Sequence, residues 1–322
     1  MSGKVSIRWS SDAALSAVHA AHVVATGGFC TDQKTEQALV ESVTDINNRL
    51  LSASLDIGTF WLRLLSETAF DPTNTRTCEI ALLDSGCSKL QLEQTASVIS
   101  NRLSDSRLAF QRRFPKLTEQ LALRGRPIRD LWDTVGPGLL SNIAKQIWVG
   151  SPPNDWWPPR VDAVLVQPMR GGDGGFDSAA HKFWIEAVLT DSDPDVPEVL
   201  RVAWLVTQLA VETQTLERSS ERTSERSGTL PWSIGSVPLV LSAGKYLDLV
   251  KGPELPIQAA LQHWRLGDAN TAAVVTRWWQ AWQKDPTPMP VGLKHLDKLL
   301  GPARDSSPGR VDAGIDLTEF DD

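Results

Sequence analysis

The sequence predicts a predominantly α-helical α+β fold, a helical body carrying a few short strands. The first observation is the stretch from Val199 to Val211, which is apolar at Val199, Leu200, Val202, Ala203, Trp204, Leu205, Val206, Leu209, Ala210 and Val211. A helix apolar on most of its surface belongs in a core with other elements packed around it. The second is the recurrence of apolar residues at three- and four-residue steps elsewhere, as in Leu39, Val43, Ile46 and Leu50, which is the helical period. The third is the scarcity of strand signals: only 5–9, 78–83 and 161–167 read as strands.

In chain order, Val5 to Trp9 reads as a strand, Asp12 as an N-cap, and Ala13 to Thr26 as a small-residue helix ended by Gly27-Gly28. Helices follow over about 33–54 and over Leu55 to Phe70, the latter closed by Pro72. Cys78 to Leu83 reads as a strand ended by Asp84-Ser85-Gly86, and about Leu90 to Leu103 as a helix. Asp130 to Trp148 is helical with an interruption at Gly136-Pro137-Gly138. The four prolines around Trp156-Trp157 make residues 151–159 an extended connector, its tryptophans pinned to the body. The strand Val161–Gln167 then leads through the glycine loop Pro168–Gly175 into a helix holding His181, Trp184 and Glu186. Asp195 with Glu198 three residues on makes an acidic capping box for the long apolar helix, with Pro197 in its first turn. Three Glu-Arg pairs at a period of four, from Glu217, mark a linker or long loop over 217–230. Helices at 238–250, 256–264 and 271–283, with an aromatic seam of Trp264, Trp278, Trp279 and Trp282, and a short helix at 292–300 complete the folded part. The expected organisation is an α+β body over 1–216, the linker 217–230, a helical part over 231–300 and a disordered acidic tail over 301–322.

Composition narrows the function classes. The net charge of −7 argues against a surface that grips nucleic acid as a whole. Three cysteines, Cys30, Cys78 and Cys87, lack the close pairs of a zinc site and read as reduced thiols. The first residues hold no apolar run of signal-peptide length, and no stretch approaches the roughly 20 apolar residues of a membrane span. The chain is therefore read as cytoplasmic, with no membrane partner. There are 13 tryptophans and one tyrosine, Tyr246, an excess read as core and groove lining.

The chemistry-bearing patterns are incomplete. The glycine loop Gly171-Gly172-Asp173-Gly174-Gly175 lacks the Gly-Lys-Ser/Thr ending of a phosphate loop, and Asp177 stands where a dinucleotide fingerprint has its third glycine. It reads as a mobile loop. Asp191, Asp193 and Asp195 alternate like a calcium loop, but Val196 and Val202 occupy its glycine and bidentate-acid positions. His19 and His22 share a helix face without the glutamate or third ligand of a metal motif, so they read as ordinary packing histidines, and no metal or cofactor is expected. Residues 102–129 are locally basic, with eight Arg and Lys against three acids over 101–130, and offer a site for an anionic ligand or a solvated face.

A resemblance attaches to the centre of the chain. Trp132 to Leu140, the strand Val161–Gln167 with its glycine loop, Ile185 to Leu189, and Pro197 to Leu209 resemble a family of planctomycete bacterial proteins with no known activity. The resemblance spans roughly 130–215. It implies that this unit is one piece and transfers no functional residue.

Two function classes remain. The first is a non-catalytic cytoplasmic adaptor or scaffold, engaging a protein partner through its tail. There Ile315, Leu317 and Phe320 sit among acids, as in short peptides that dock into apolar grooves. The alternative is a hydrolase-like or metal-assisted enzyme, in which an acid, an imidazole and a guanidinium, Glu186, His181 and Arg201, converge from adjacent helices.

Overall fold

The computed structural model describes residues 5–28, 30–68, 74–148, 152–220 and 230–304. The fold is predominantly helical with one small four-stranded sheet. Strand β1 (Ser6–Ser11) leads into seven helices: α1 (Ala13–Ala25), α2 (Gln33–Ser52), α3 (Ile57–Thr68), α4 (Asn74–Asp84), α5 (Leu92–Arg113), α6 (Leu117–Arg124) and α7 (Arg126–Ile147). Strands β2 (Arg160–Val166), β3 (Gly174–Asp177) and β4 (Lys182–Glu186) follow. The chain closes with α8 (Glu198–Ser220), α9 (Trp232–Tyr246), α10 (Ile257–His263), α11 (Ala269–Lys284) and α12 (Met289–Arg304).

The sheet order is β1-β2-β4-β3. The β1–β2 and β2–β4 pairs are parallel, and β3 runs antiparallel on the β4 edge. Parallel neighbours require a crossover, and here α1–α7 form it, returning the chain so that Ser6 pairs with Arg160. At the exposed end of this pair Arg8 clamps Asp162 with two hydrogen bonds of 2.9 and 2.6 Å. Consecutive β2 residues Ala163 to Val166 are all buried. Successive strand side chains point to opposite faces, so both faces of the sheet are covered.

Side-chain caps set several helix starts. Asp12 accepts from Leu15 N (2.9 Å), Asp32 from Lys34 and Thr35 N, and Asp268 from Thr271 N (2.8 Å). Gly27, at φ +64°, stands just past α1, where the left-handed conformation suits glycine. Helix α8 is the centre of the molecule: Leu200, Val202, Ala203, Leu205, Val206 and Leu209 are all fully buried. Trp156 and Trp157 are buried too, and Trp156 stands edge-on to Trp148 with centroids 5.3 Å apart. They pin their connector to the body, as the sequence suggests.

Four expectations are corrected. Residues 78–83 are not a strand but part of α4, in which Cys78, Ala81 and Leu82 are buried at helical spacing. A six-residue apolar run does not distinguish strand from buried helix. The expected helix around His181, Trp184 and Glu186 is the strand β4, and His181 sits in the turn before it at φ +48°. An inner parallel strand reads as an apolar run without alternation, and Phe183-Trp184-Ile185 is such a run. Gly136-Pro137-Gly138 does not interrupt α7, and the Trp132 ring lies over Gly136, where a Cβ would be 2.7 Å from its Cε2. The start of α8 is bonded by Asp191, whose Oδ1 accepts from Glu198 N at 2.8 Å, while Asp195 donates its own N–H to Asp193.

The backbone of α8 continues to Ser220, into the expected linker. Residues 221–229 and the tail from 305 on, with Ile315, Leu317 and Phe320, lie outside the described residues. No helix among the described residues is long and apolar enough to cross a membrane.

Candidate functional site

The glycine loop between β2 and β3 is built around one carboxylate. Glu186, the last residue of β4, is 0% exposed. It accepts hydrogen bonds from the backbone N–H groups of Met169 (2.8 Å), Arg170 (2.9 Å), Gly171 (2.7 Å) and Gly172 (2.8 Å). Nε2 of His19, from α1, lies 2.9 Å from the same carboxylate. Successive amides that point inward make an anion cradle. Such a turn needs positive φ, supplied by Gly171 (+80°) and Gly172 (+122°). The loop is thus an anion site after all, but its anion is the protein's own. Burial alone would push the Glu186 carboxyl up; the bonds from His19 and the loop amides hold it below the ordinary carboxylate range.

The loop then places Arg170 and Asp173 beside a cavity. Arg170 donates to Asp173 Oδ2 (3.0 Å) and to Thr26 Oγ1 (2.7 Å). Burial opposes ionisation of Asp173, but the charges of His19, Arg201 and Arg170 and the N–H of Gly174 bring it down to about 2. Arg201, on the first turn of α8, is 2% exposed. It donates to the carbonyls of Trp264 (3.0 Å) and Gly174 (2.8 Å) and lies 4.6 Å from the ring centre of Trp204. Burial lowers its guanidinium to about 10, still protonated at neutral pH. Behind the loop, Glu198 and His263 pair at 2.9 Å. Burial raises the Glu198 carboxyl, and the bond to Glu198 raises the His263 imidazole.

The cavity, of about 360 Å³, lies between α1, α3, the loop, the β3–β4 edge, α8 and the turn after α10. Its polar lining includes His19, His22, Arg170, Asp173, Arg201 and Arg265. On residues of its lining, five side-chain nitrogens are closed off from solvent and have no hydrogen-bond partner among the described residues: Nδ1 of His19, Nδ1 of His22, Nε of Arg170, Nε of Arg201 and Nε1 of Trp264. Arg201 and Arg265 form no ion pair with any described residue. Burial, with the charges of His19 and Arg170 adding to it, lowers the His22 imidazole to about 3, so it is neutral at physiological pH.

Of the three candidate catalytic residues, Glu186 and Arg201 bond to the same loop without a contact between them, and His181 is remote from both. Glu186 and Arg201 flank the loop, and Arg201 lines the cavity. His181 lies at the opposite end of β4, five residues or roughly 16 Å along the strand from Glu186. The imidazole that does meet Glu186 is His19, reached through the parallel return of β2 onto β1. Arg170, Asp173, Trp264 and Arg265 were not singled out as site residues by sequence reasoning. The adjacent His19–His22 spacing and the glycine loop were the two visible signals.

The basic segment 102–129 is largely engaged within the protein. Arg102 pairs with Asp45 and Asp105, Arg113 with Asp32, and Arg129 donates to the carbonyls of Gly125 and Ala122. Arg112, Lys116 and Arg126 face solvent. Among the described residues, no group of three or more His, Cys, Asp or Glu side chains could hold a metal ion. No protein-family model, curated protein or solved structure matches the chain.

Proposed function

We propose that this protein binds a small anionic molecule in the cavity bounded by α1, the Pro168–Gly175 loop and α8. The observation that carries the reading is the arginine excess of the lining, Arg170, Arg201 and Arg265 against Asp173. A buried cation is ordinarily paired, because an isolated charge in a low-dielectric interior is costly. Arg201 is buried with no direct ion pair to a described residue, although the charges of Asp173, Glu198 and Glu186 act on it. Three arginines face one aspartate in this cavity, and Asp173 already pairs with Arg170. A ligand carboxylate or phosphate would balance the remaining positive charge of the lining. The cavity volume falls within the usual range for small-molecule sites, roughly 300–1,000 Å³.

This reading locates the anion at Arg170, Arg201 and Arg265 rather than along 102–129. It also gives Glu186 an architectural role. Both of its oxygens are taken by loop amides and His19, so it holds the loop rather than serving as a general base.

Calorimetric titration tests the proposal on the full chain, with inorganic phosphate and acetate set against ammonium and guanidinium. The expected outcome is measurable binding of an anion, weakened at least tenfold in Arg170→Met and unchanged by the cations. Equal binding of anions and cations, or anion binding indifferent to Arg170→Met, would remove the proposal.

A further inference from the structure

The turn after α10 holds a long cation where short residues are usual. Arg265 donates its N–H to Gln262 O (3.2 Å) and Leu266 donates its N–H to Leu261 O (2.8 Å), the paired bonds that close a helix C-terminus. The first residue past such a helix end stands in the left-handed region, where a Cβ is strained and glycine is preferred. Arg265 stands there at φ +57°. The same pair of bonds closes α2, α4 and α9, and there the left-handed residues are Ser54, Gly86 and Asp248, all of them short. Backbone strain held at one residue points to a use for its side chain. The side chain of Arg265 lines the cavity. Buried Arg201 ties this turn to the glycine loop by donating to Trp264 O and Gly174 O, so the turn stands beside the start of β3.

Of the three arginines in the lining, Arg265 is the most accessible. Arg201 is 2% exposed, and the Arg170 side chain is 9% exposed and bonded to Asp173 and Thr26. Arg265 is exposed. Accessible apolar surface lies on the same lining: Leu62 is 59% exposed, and Phe176 and Leu266 are partly so. One guanidinium matches the two oxygens of one carboxylate. A lone exposed ion pair contributes little, whereas each methylene removed from water strengthens binding about fourfold. A bare anion meets Arg265 and leaves the apolar surface against water. We infer that the ligand is an aliphatic carboxylic acid, its carboxylate held by Arg265 and its chain lying on Leu62, Phe176 and Leu266. The inference rests on the reading of this cavity as an anion site and narrows it to one ligand class.

The test is calorimetric binding of hexanoate, acetate and 1-hexanol to the full chain, repeated in Arg265→Gly and Arg265→Lys. The expected result is that hexanoate binds at least tenfold tighter than acetate and at least tenfold tighter than 1-hexanol. Acetate binding as tightly as hexanoate would overturn the aliphatic chain while the anion reading stands. 1-Hexanol binding as tightly as hexanoate would overturn both, as would no binding by any probe. Arg265→Gly should weaken hexanoate at least tenfold, and Arg265→Lys, which keeps the charge, should weaken it less. Hexanoate affinity unchanged in Arg265→Gly would overturn the role given to Arg265 and leave the anion reading in place. Thermal unfolding separates that role from a structural one. Glycine removes the strain, so Arg265→Gly should raise Tm by about 2 °C. A Tm below the wild type would show that Arg265 is there to stabilise the end of α10, and would overturn the argument from strain.

Discussion

At the scale of residues, the protein concentrates its buried charge in one place. Glu186, Arg201 and His19 are fully buried, Asp173 and Arg170 are mostly so, and each carboxylate is held by donors of fixed geometry. His22 stands beside them uncharged, lowered from 6.5 to about 3. Its contribution to stability has a definite sign. The unfolded chain takes up a proton at His22 near its ordinary value, and the folded chain does so only near 3. Folding is thus favoured fully above the ordinary value and loses that contribution as pH falls through the interval, by up to about 1.4 kcal/mol per pH unit. Urea unfolding at about pH 7 and about pH 5 should show a steeper loss in the wild type than in His22→Gln. Equal slopes in the two proteins would mean that another group carries the acid sensitivity. Two of these five, Glu186 and Arg201, are candidate site residues in the sequence alone. They read as an acid and a guanidinium on adjacent helices, not as groups bonded to the glycine loop. His19 was visible only as a helix-face histidine, since its partner lies 167 residues away in the chain.

At the scale of elements, the loop Pro168–Gly175 decides the shape of the site, and its conformation depends on glycine for two separable reasons. Gly172 has φ +122°, and a Cβ there would stand 2.2 Å from Glu198 Oε1 and 2.6 Å from His263 Nε2. Gly27 has φ +64° with nothing within 4 Å of a built Cβ. Gly172→Ala therefore adds a steric collision to backbone strain and should cost about 2–4 kcal/mol, whereas Gly27→Ala carries strain alone, about 1 kcal/mol. Thermal unfolding of the two variants checks the difference; equal shifts in Tm would show that the Glu198–His263 pair yields freely. The misreading of β4 as a helix belongs to this scale as well. Three consecutive large apolar residues, Phe183 to Ile185, are needed where a strand lies between β2 and β3 with both faces covered. That need arises from neighbours in the sheet and leaves no alternation in the local sequence.

At the scale of the whole molecule, a single buried apolar cluster runs from Leu15 to Leu300. Helices α9 to α12 do not bury a core of their own apart from α8. Gly244 of α9 packs its open side on Leu200 of α8, Trp204 Nε1 donates to Ser233 O at 2.9 Å, and Gln208 donates to Ser236 Oγ at 2.8 Å. A fragment of residues 231–304 expressed alone should therefore lack a cooperative unfolding transition, because removing α8 exposes the face these contacts cover. A sharp transition in that fragment, followed by circular dichroism, would show that the C-terminal helices fold independently.

Local chemistry in the sequence determined the helical class, the capped helix start at Asp12, the strand over β2, and α8 as the buried axis. Each depends on residues close in the chain: a period, a cap, an apolar run. The tertiary structure decided the rest. Whether Cys78–Leu83 is helix or strand, and whether Trp184 stands on helix or strand, depended on which neighbours bury them. The identity of the anion in the glycine loop depended on β4 ending beside that loop. The meeting of His19 with Glu186 depended on a crossover of seven helices returning β2 to β1. Contacts of that span are set by how separate elements share one core, and no short window of sequence encodes them.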